Sequence, residues 1–212
     1  MVIDTGVDAE HVYLNPYISI EDLRQNPIDY KDTNSHGTHV AGSVIKGACK
    51  QVKLYSCKYY FDDSEKDRDS ENIVHCFQKA KNLQMDYINY SASGKTIIKE
   101  EFHLMSELTQ SGTVISVAAG NDGVDLNNNK RYPASFDLPN FYVVGNMTND
   151  FKRQPKSNYG LINMVYALGT NVLSLYPGNK VIKKTGTSMS TAVWTNELLK
   201  EKCMEENDGY SR

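Results

Sequence analysis

Short apolar runs alternate along this chain with amphipathic stretches, and that alternation limits the folds open to it more than any other feature. The runs at 2–3, 52–60, 87–90, 114–118 and 141–144 read as strands. The stretches 36–46, 70–83, 100–110 and 187–204 carry helical spacing, as in Ile73, Val74, Phe77 and Ala80. Strands alternating with helices predict an α/β fold of three layers, a mostly parallel β-sheet with helices on both faces. Ligands of such sheets bind beyond the carboxyl ends of the strands. Asp4, Ser91 and Asn121 fall at or just past such ends, so the reading directs attention to them.

At 212 residues, 40% hydrophobic and 23% charged, the chain has the size and composition of one globular domain with a real core. It shows no internal repeat. Its net charge of −3, with Lys and Arg dispersed, argues against a nucleic-acid surface. No run of about 18 apolar residues occurs, so no membrane span is expected. The chain opens directly on a strand pattern, so no signal peptide is expected within it. Polar segments at 62–70, 122–130 and 148–156 read as surface loops. Cys49, Cys57, Cys76 and Cys203 form no C-x-x-C pair, hence no metal pattern. Their spacing leaves open one or two disulfides, with buried free thiols the commoner state of scattered cysteines.

Three segments carry chemistry. Val2-Ile3-Asp4-Thr5-Gly6-Val7-Asp8 ends an apolar strand on an acid. His36-Gly37-Thr38-His39-Val40-Ala41-Gly42 opens a helix on an imidazole. Gly186-Thr187-Ser188-Met189-Ser190-Thr191-Ala192 opens another on an alcohol. Asp, then His, then Ser is one of the few chain orders in which a serine nucleophile system is known. A serine hydroxyl needs a base within hydrogen-bond reach. His36 suits that role, with Asp4 to fix its tautomer. A fourth segment, Ala118-Ala119-Gly120-Asn121, ends a strand on an amide. That amide is suited to cradle an oxyanion together with the Ser188 backbone N–H. Taken singly, each residue has a plainer role: a turn Asp, a helix-opening His, a capping Ser, and an Asn before the turn signal Asp122-Gly123.

With these four motifs in this order, the chain resembles the subtilases, the subtilisin-like serine proteases (peptidase S8 family), over nearly its whole length. The resemblance implies a serine endopeptidase acting through an acyl-enzyme on Ser188, with His36 as general base, Asp4 as orienting acid, and Asn121 with Ser188 as oxyanion hole. It implies that Ser91, Ala92, Ser93 and Gly94 pair with an extended polypeptide substrate, and that Ala118, Ala119 and Gly120 adjoin it. Arg131, before Tyr132-Pro133-Ala134, falls near the base of the first specificity pocket. An inward Arg131 favours an acidic residue before the scissile bond; a solvent-facing one does not, and the sequence leaves both open. The same resemblance makes His39 structural and Met189 an oxidation-sensitive neighbour of the nucleophile. It further implies secretion or another extracytoplasmic location, and a propeptide or inhibitor as a possible partner. Two other functions stand beside the endopeptidase: a catalytically impaired module that binds peptide or protein, and an ester hydrolase.

The chain also departs from the family pattern. It begins at the Asp strand, and 24 residues follow Ser188. The expectation is therefore one subtilase-like domain, 1–212, without the usual N-terminal segment and part of the C-terminal one. Ala192-Val193-Trp194 stands where the family has Pro-His-Val, and Asn196 where it has Gly. Glu197, Lys200, Glu201 and Lys202 make the last helix polar early, which predicts added solvent exposure or a missing partner. No cofactor or metal is expected. Calcium occurs in the family, but Tyr13 occupies a position expected for a calcium-binding Asp, and 46–51 is too short for the metal loop.

Overall fold

A computed structural model describes residues 1–18, 30–60 and 66–207. Six parallel strands form its main sheet, in the order β2-β1-β3-β4-β5-β6. They are β1 (Val2–Asp4), β2 (Ser56–Lys58), β3 (Tyr87–Tyr90), β4 (Val114–Ala118), β5 (Phe141–Met147) and β6 (Val165–Leu168). The register sets Ile3 opposite Cys57 and Tyr90, and Val117 opposite Tyr90 and Val143. Four helices among the described residues complete the layers: α1 (His36–Val44), α2 (Lys66–Asn82), α3 (Lys99–Gln110) and α4 (Thr187–Asn207).

Successive strand side chains point to opposite faces, and β1 shows the result. Ile3 joins a core with Phe77, Leu104, Met105, Ile115 and Val117, beneath α2 and α3. Val2 joins another with Val40, Val44, Met189, Ala192 and Leu199, beneath α1 and α4. The three-layer α/β fold expected from the alternation is the one observed, and the four described helices divide two and two. From β1 the chain steps to β2 on one side, then returns to β3 on the other. The β1/β3 boundary is thus the topological switch point, where such sheets bind ligands. Asp4 and Ser91 mark its carboxyl edge.

Local differences from the sequence reading have local causes. The strand expected at 52–60 contracts to Ser56–Lys58, because the Leu54 N–H turns away to the carbonyl of Tyr17. Strand β6 and the antiparallel hairpin of β7 (Val172–Tyr176) and β8 (Lys180–Lys184) were not apparent. Most of their residues are half-exposed or exposed, and Lys180-Val181-Ile182-Lys183-Lys184 lacks the apolar weight of a core strand. Of the loop expected at 62–70, 66–70 belongs to α2 and 62–65 lie outside the described residues.

The cysteines, whose state their spacing left open, form two disulfides. Cys49 bonds Cys203 across 154 residues, and Cys57 bonds Cys76 across 19. One bridge ties the end of α4 to the turn after α1; the other ties α2 to β2. The polar start of α4 is largely buried, and several of its side chains are paired. Thr191 and Thr195 donate back along the helix, and Asn196 donates to the carbonyls of Val44 and Lys46. Asn196 therefore satisfies carbonyls that the end of α1 leaves without helical partners. The added exposure expected of α4 begins only at Glu197. No helix among the described residues is long and apolar enough to cross a membrane.

Candidate active site

Asp32 anchors the start of α1. Its Oδ1 accepts the N–H groups of Asn34 and Ser35; its Oδ2 accepts the N–H and hydroxyl of Thr38. Ser35, just before the helix, sits at φ 76° and supplies no side-chain cap, so Asp32 meets the orphan donors instead. Thr5 joins strand to helix. Its hydroxyl donates to Asp32 and accepts the Gly37 N–H at 2.9 Å. A Cβ at Gly37 would lie 2.1 Å from the Gly6 carbonyl oxygen, so only glycine allows this approach. The end of β1 and the first turn of α1 are thereby held together, and His36 Nδ1 lies 2.7 Å from Asp4 Oδ1.

That pair is desolvated on the acid side, with Asp4 2% and His36 27% exposed. Asp4 Oδ1 also accepts the Thr5 N–H. Burial pulls the His36 imidazolium down, but the charge and hydrogen bond of Asp4 outweigh it, and the His36 pKa is raised. His39, one turn on, is fully buried and shares its Nε2 between the carbonyls of Val172 and Ile182. Burial lowers its pKa, and its bonds tie α1 to the β7–β8 hairpin.

The second half of the site forms where α4 begins. The Thr187 N–H goes to Asn121 Oδ1 at 2.9 Å, and the Met189 and Ser190 N–H groups go to the Gly186 carbonyl. Of the four N–H groups that open the helix, only that of Ser188 is left without a partner among the described residues. Because Asn121 Oδ1 is held by Thr187, its Nδ2 donors stay uncommitted among the described residues. Two unspent donors thus border one cleft of about 290 Å³, lined by Ser91, Ala92, Ser93, Ala118, Gly120, Asn121, Asp122, Thr187 and Ser188. Ser188 is 8% exposed there. The Ser188 hydroxyl and His36 Nε2 make no hydrogen bond among the described residues. They open two helices that pack on each other, both beginning at the carboxyl edge of the sheet. A larger cavity of about 520 Å³ lies at the opposite edge, beside Met1, Tyr87 and Val114, away from these groups.

Of the other expected substrate contacts, three lie off the cleft wall. Ala119 is buried behind it. Gly94 exchanges both backbone hydrogen bonds with Tyr132, so the open backbone edge is Ala92–Ser93 and not Gly94. Arg131 donates from Nε to Asp122 Oδ2 at 2.7 Å, with its side chain 13% exposed. It neutralises a carboxylate of the cleft rim rather than presenting a bare charge.

Sequence reasoning passed over two organising residues. Asp32, four residues before His36 in the turn-rich run Asp32-Thr33-Asn34-Ser35, carried a readable capping signal. Asn158 carried none. Fully buried, it accepts from the Asp122 and Val124 N–H groups and donates to the Ala119 carbonyl. It shapes the segment bearing Asn121 from 37 residues away.

Around the position where the family resemblance places calcium, Asp8 spends one carboxylate oxygen on the Glu10 N–H and the other on the Gly178 N–H. Tyr13 is 66% exposed. Among the described residues, no group of three or more His, Cys, Asp or Glu side chains is placed to hold a metal ion.

Comparison with known proteins matches residues 1–200 to the model of the subtilase family, Peptidase S8. The chain belongs to the subtilase family. Subtilisin NAT of Bacillus subtilis subsp. natto is 31% identical over 199 residues, covering 90% of this chain and 51% of that protein. Subtilisin DY of Bacillus licheniformis is 32% identical over 207 residues, covering 90% of this chain and 71% of that protein. The chain thus spans about half the length of the first of these relatives. Among solved structures, a cold-adapted subtilisin-like serine proteinase superposes with TM-score 0.76 at 26% identity, covering 99% of this chain and 76% of that one. The prenylagaramide maturation protease PagA superposes with TM-score 0.81 at 22% identity, covering 99% and 77%, a likeness of fold.

Proposed function

We propose that this subtilase is a serine endopeptidase. Ser188 attacks the scissile carbonyl, and His36 takes the hydroxyl proton and returns it to the leaving amine. Asp4 holds the tautomer and stabilises the imidazolium. The observation that carries the reading is the pairing of two spare donors, Asn121 Nδ2 and the Ser188 N–H, at the rim of one cleft. A developing oxyanion between them meets preorganised dipoles. An extended polypeptide adds to the Ala92–Ser93 edge, whose backbone groups bond to no described residue. Two disulfides support an oxidising, extracytoplasmic location.

A fluorophosphonate probe tests the assignment. Labelling of the wild type and not of Ser188→Ala, with cleavage of unfolded protein substrates, is expected. Folded protein that takes up no label is a binding module instead. Turnover of acyl esters without peptide cleavage marks an ester hydrolase.

A further inference from the structure

The β7–β8 hairpin places a cation beside the imidazole. Lys184, the last residue of β8 and four before Ser188, donates from Nζ to the Ser35 hydroxyl at 2.9 Å. Ser35 immediately precedes His36. One of three ammonium donors is thereby spent on a neutral group. No carboxylate among the described residues lies within ion-pair distance of it. The nearby acids are engaged elsewhere: Asp4 by His36 and the Thr5 N–H, and Asp32 by the turn before α1 and by Thr38. Burial lowers the Lys184 pKa, while Asp32 and Asp4 oppose the fall.

The position of this cation relative to the two halves of a substrate follows from the proton path. The acyl half occupies the cleft of Ser91, Ala92, Ser93 and Asn121. The leaving amine must receive its proton from His36, so the leaving half lies on the His36 side, where Ser35 and Lys184 stand. We infer that Lys184 is a specificity-determining residue that selects polypeptides with Asp or Glu in the first or second position after the scissile bond.

This rests on the proposed hydrolysis, and the experiment separates the two. Fluorogenic peptides identical except for Glu, Leu or Lys at those two positions are assayed with wild type, Lys184→Gln and Lys184→Glu at low and high salt. A peptidyl p-nitroanilide, which has no residue beyond the cleaved bond, is assayed in parallel. A half-exposed charge pair predicts a wild-type Glu-over-Lys preference of about two- to five-fold in kcat/KM, weakened by salt. Lys184→Gln abolishes it and Lys184→Glu reverses it, while all three turn over the anilide. Anilide turnover with the same Glu-to-Lys ratio in all three proteins overturns the role of Lys184 and leaves the hydrolysis standing. No turnover of any substrate by the folded wild type overturns both.

Discussion

Asn121 Oδ1 accepts the backbone N–H of Thr187 at 2.9 Å, so the residue before the candidate nucleophile fixes which way the amide faces. The bond leaves Nδ2 as the outward end. Asn121→Ala is expected to lower kcat about 10²–10³-fold, about 2.7–4 kcal/mol, with little change in KM; that magnitude is the one known for the same donor in subtilisin. Steady-state kinetics check it. A rise in KM at unchanged kcat assigns the amide to ground-state binding.

The acid limb of activity is set by His36, which must be neutral to act as base. Its pKa is raised by Asp4 against the pull of burial. The limb of kcat/KM is therefore expected above the free imidazole value of about 6.5. Asp4→Asn removes the charge, so NMR titration of His36 in a Ser188→Ala background should show the pKa falling. An unmoved titration separates Asp4 from that role.

Glu101, in the first turn of α3, is 3% exposed, and its Oε1 has no hydrogen-bond partner among the described residues. Burial lifts its pKa to about 7, against the Tyr90 hydroxyl, which draws it down. The unfolded carboxyl titrates near 4.5. Between these values the folded chain holds the extra proton, so stability falls as pH rises from about 4.5 to 7, then levels off. The loss is on the order of 3 kcal/mol. Melts of Ser188→Ala with and without Glu101→Gln, at pH 4.5, 6 and 8, should show the Gln variant escaping it. Parallel pH profiles for the two contradict the assignment.

Asn158→Ala strips acceptors from two N–H groups and the donor from the Ala119 carbonyl. A loss of about 2–4 kcal/mol is expected from groups left unpaired. Because the loosened segment carries Asn121, kcat should fall as well, well below saturation of unfolding. Denaturant titration and kinetics on one preparation report both effects.

Chelator should leave the melting temperature of Ser188→Ala unchanged, because both Asp8 carboxylate oxygens are spent on backbone N–H groups. A fall of several degrees in EDTA, restored by calcium, assigns a metal to the chain.

The fold was legible because its signal is local. Apolar runs too short for helices and amphipathic stretches too long for strands admit few arrangements, and their alternation implies helices on both faces of a sheet. The disulfides were not legible. Cys49 and Cys203 meet only because α4 packs along α1, and nothing within either segment records that approach. The edge elements β6 to β8 stayed hidden for a related reason. Half-exposed strands keep little hydrophobic pattern.

By itself the chain determined which chemical groups are present and which strand and helix ends carry them: an acid at residue 4, an imidazole at 36, an amide at 121 and an alcohol at 188. Covalent spacing and side-chain periodicity are enough for that. Only the packed molecule decided how their polar atoms are spent. Thr187 takes one end of Asn121, Asp122 takes Arg131, Tyr132 takes Gly94, and Lys184 reaches Ser35. Hydrogen bonds between distant segments are settled when loops close and water leaves, and buried polar groups then take the partners that packing brings within reach.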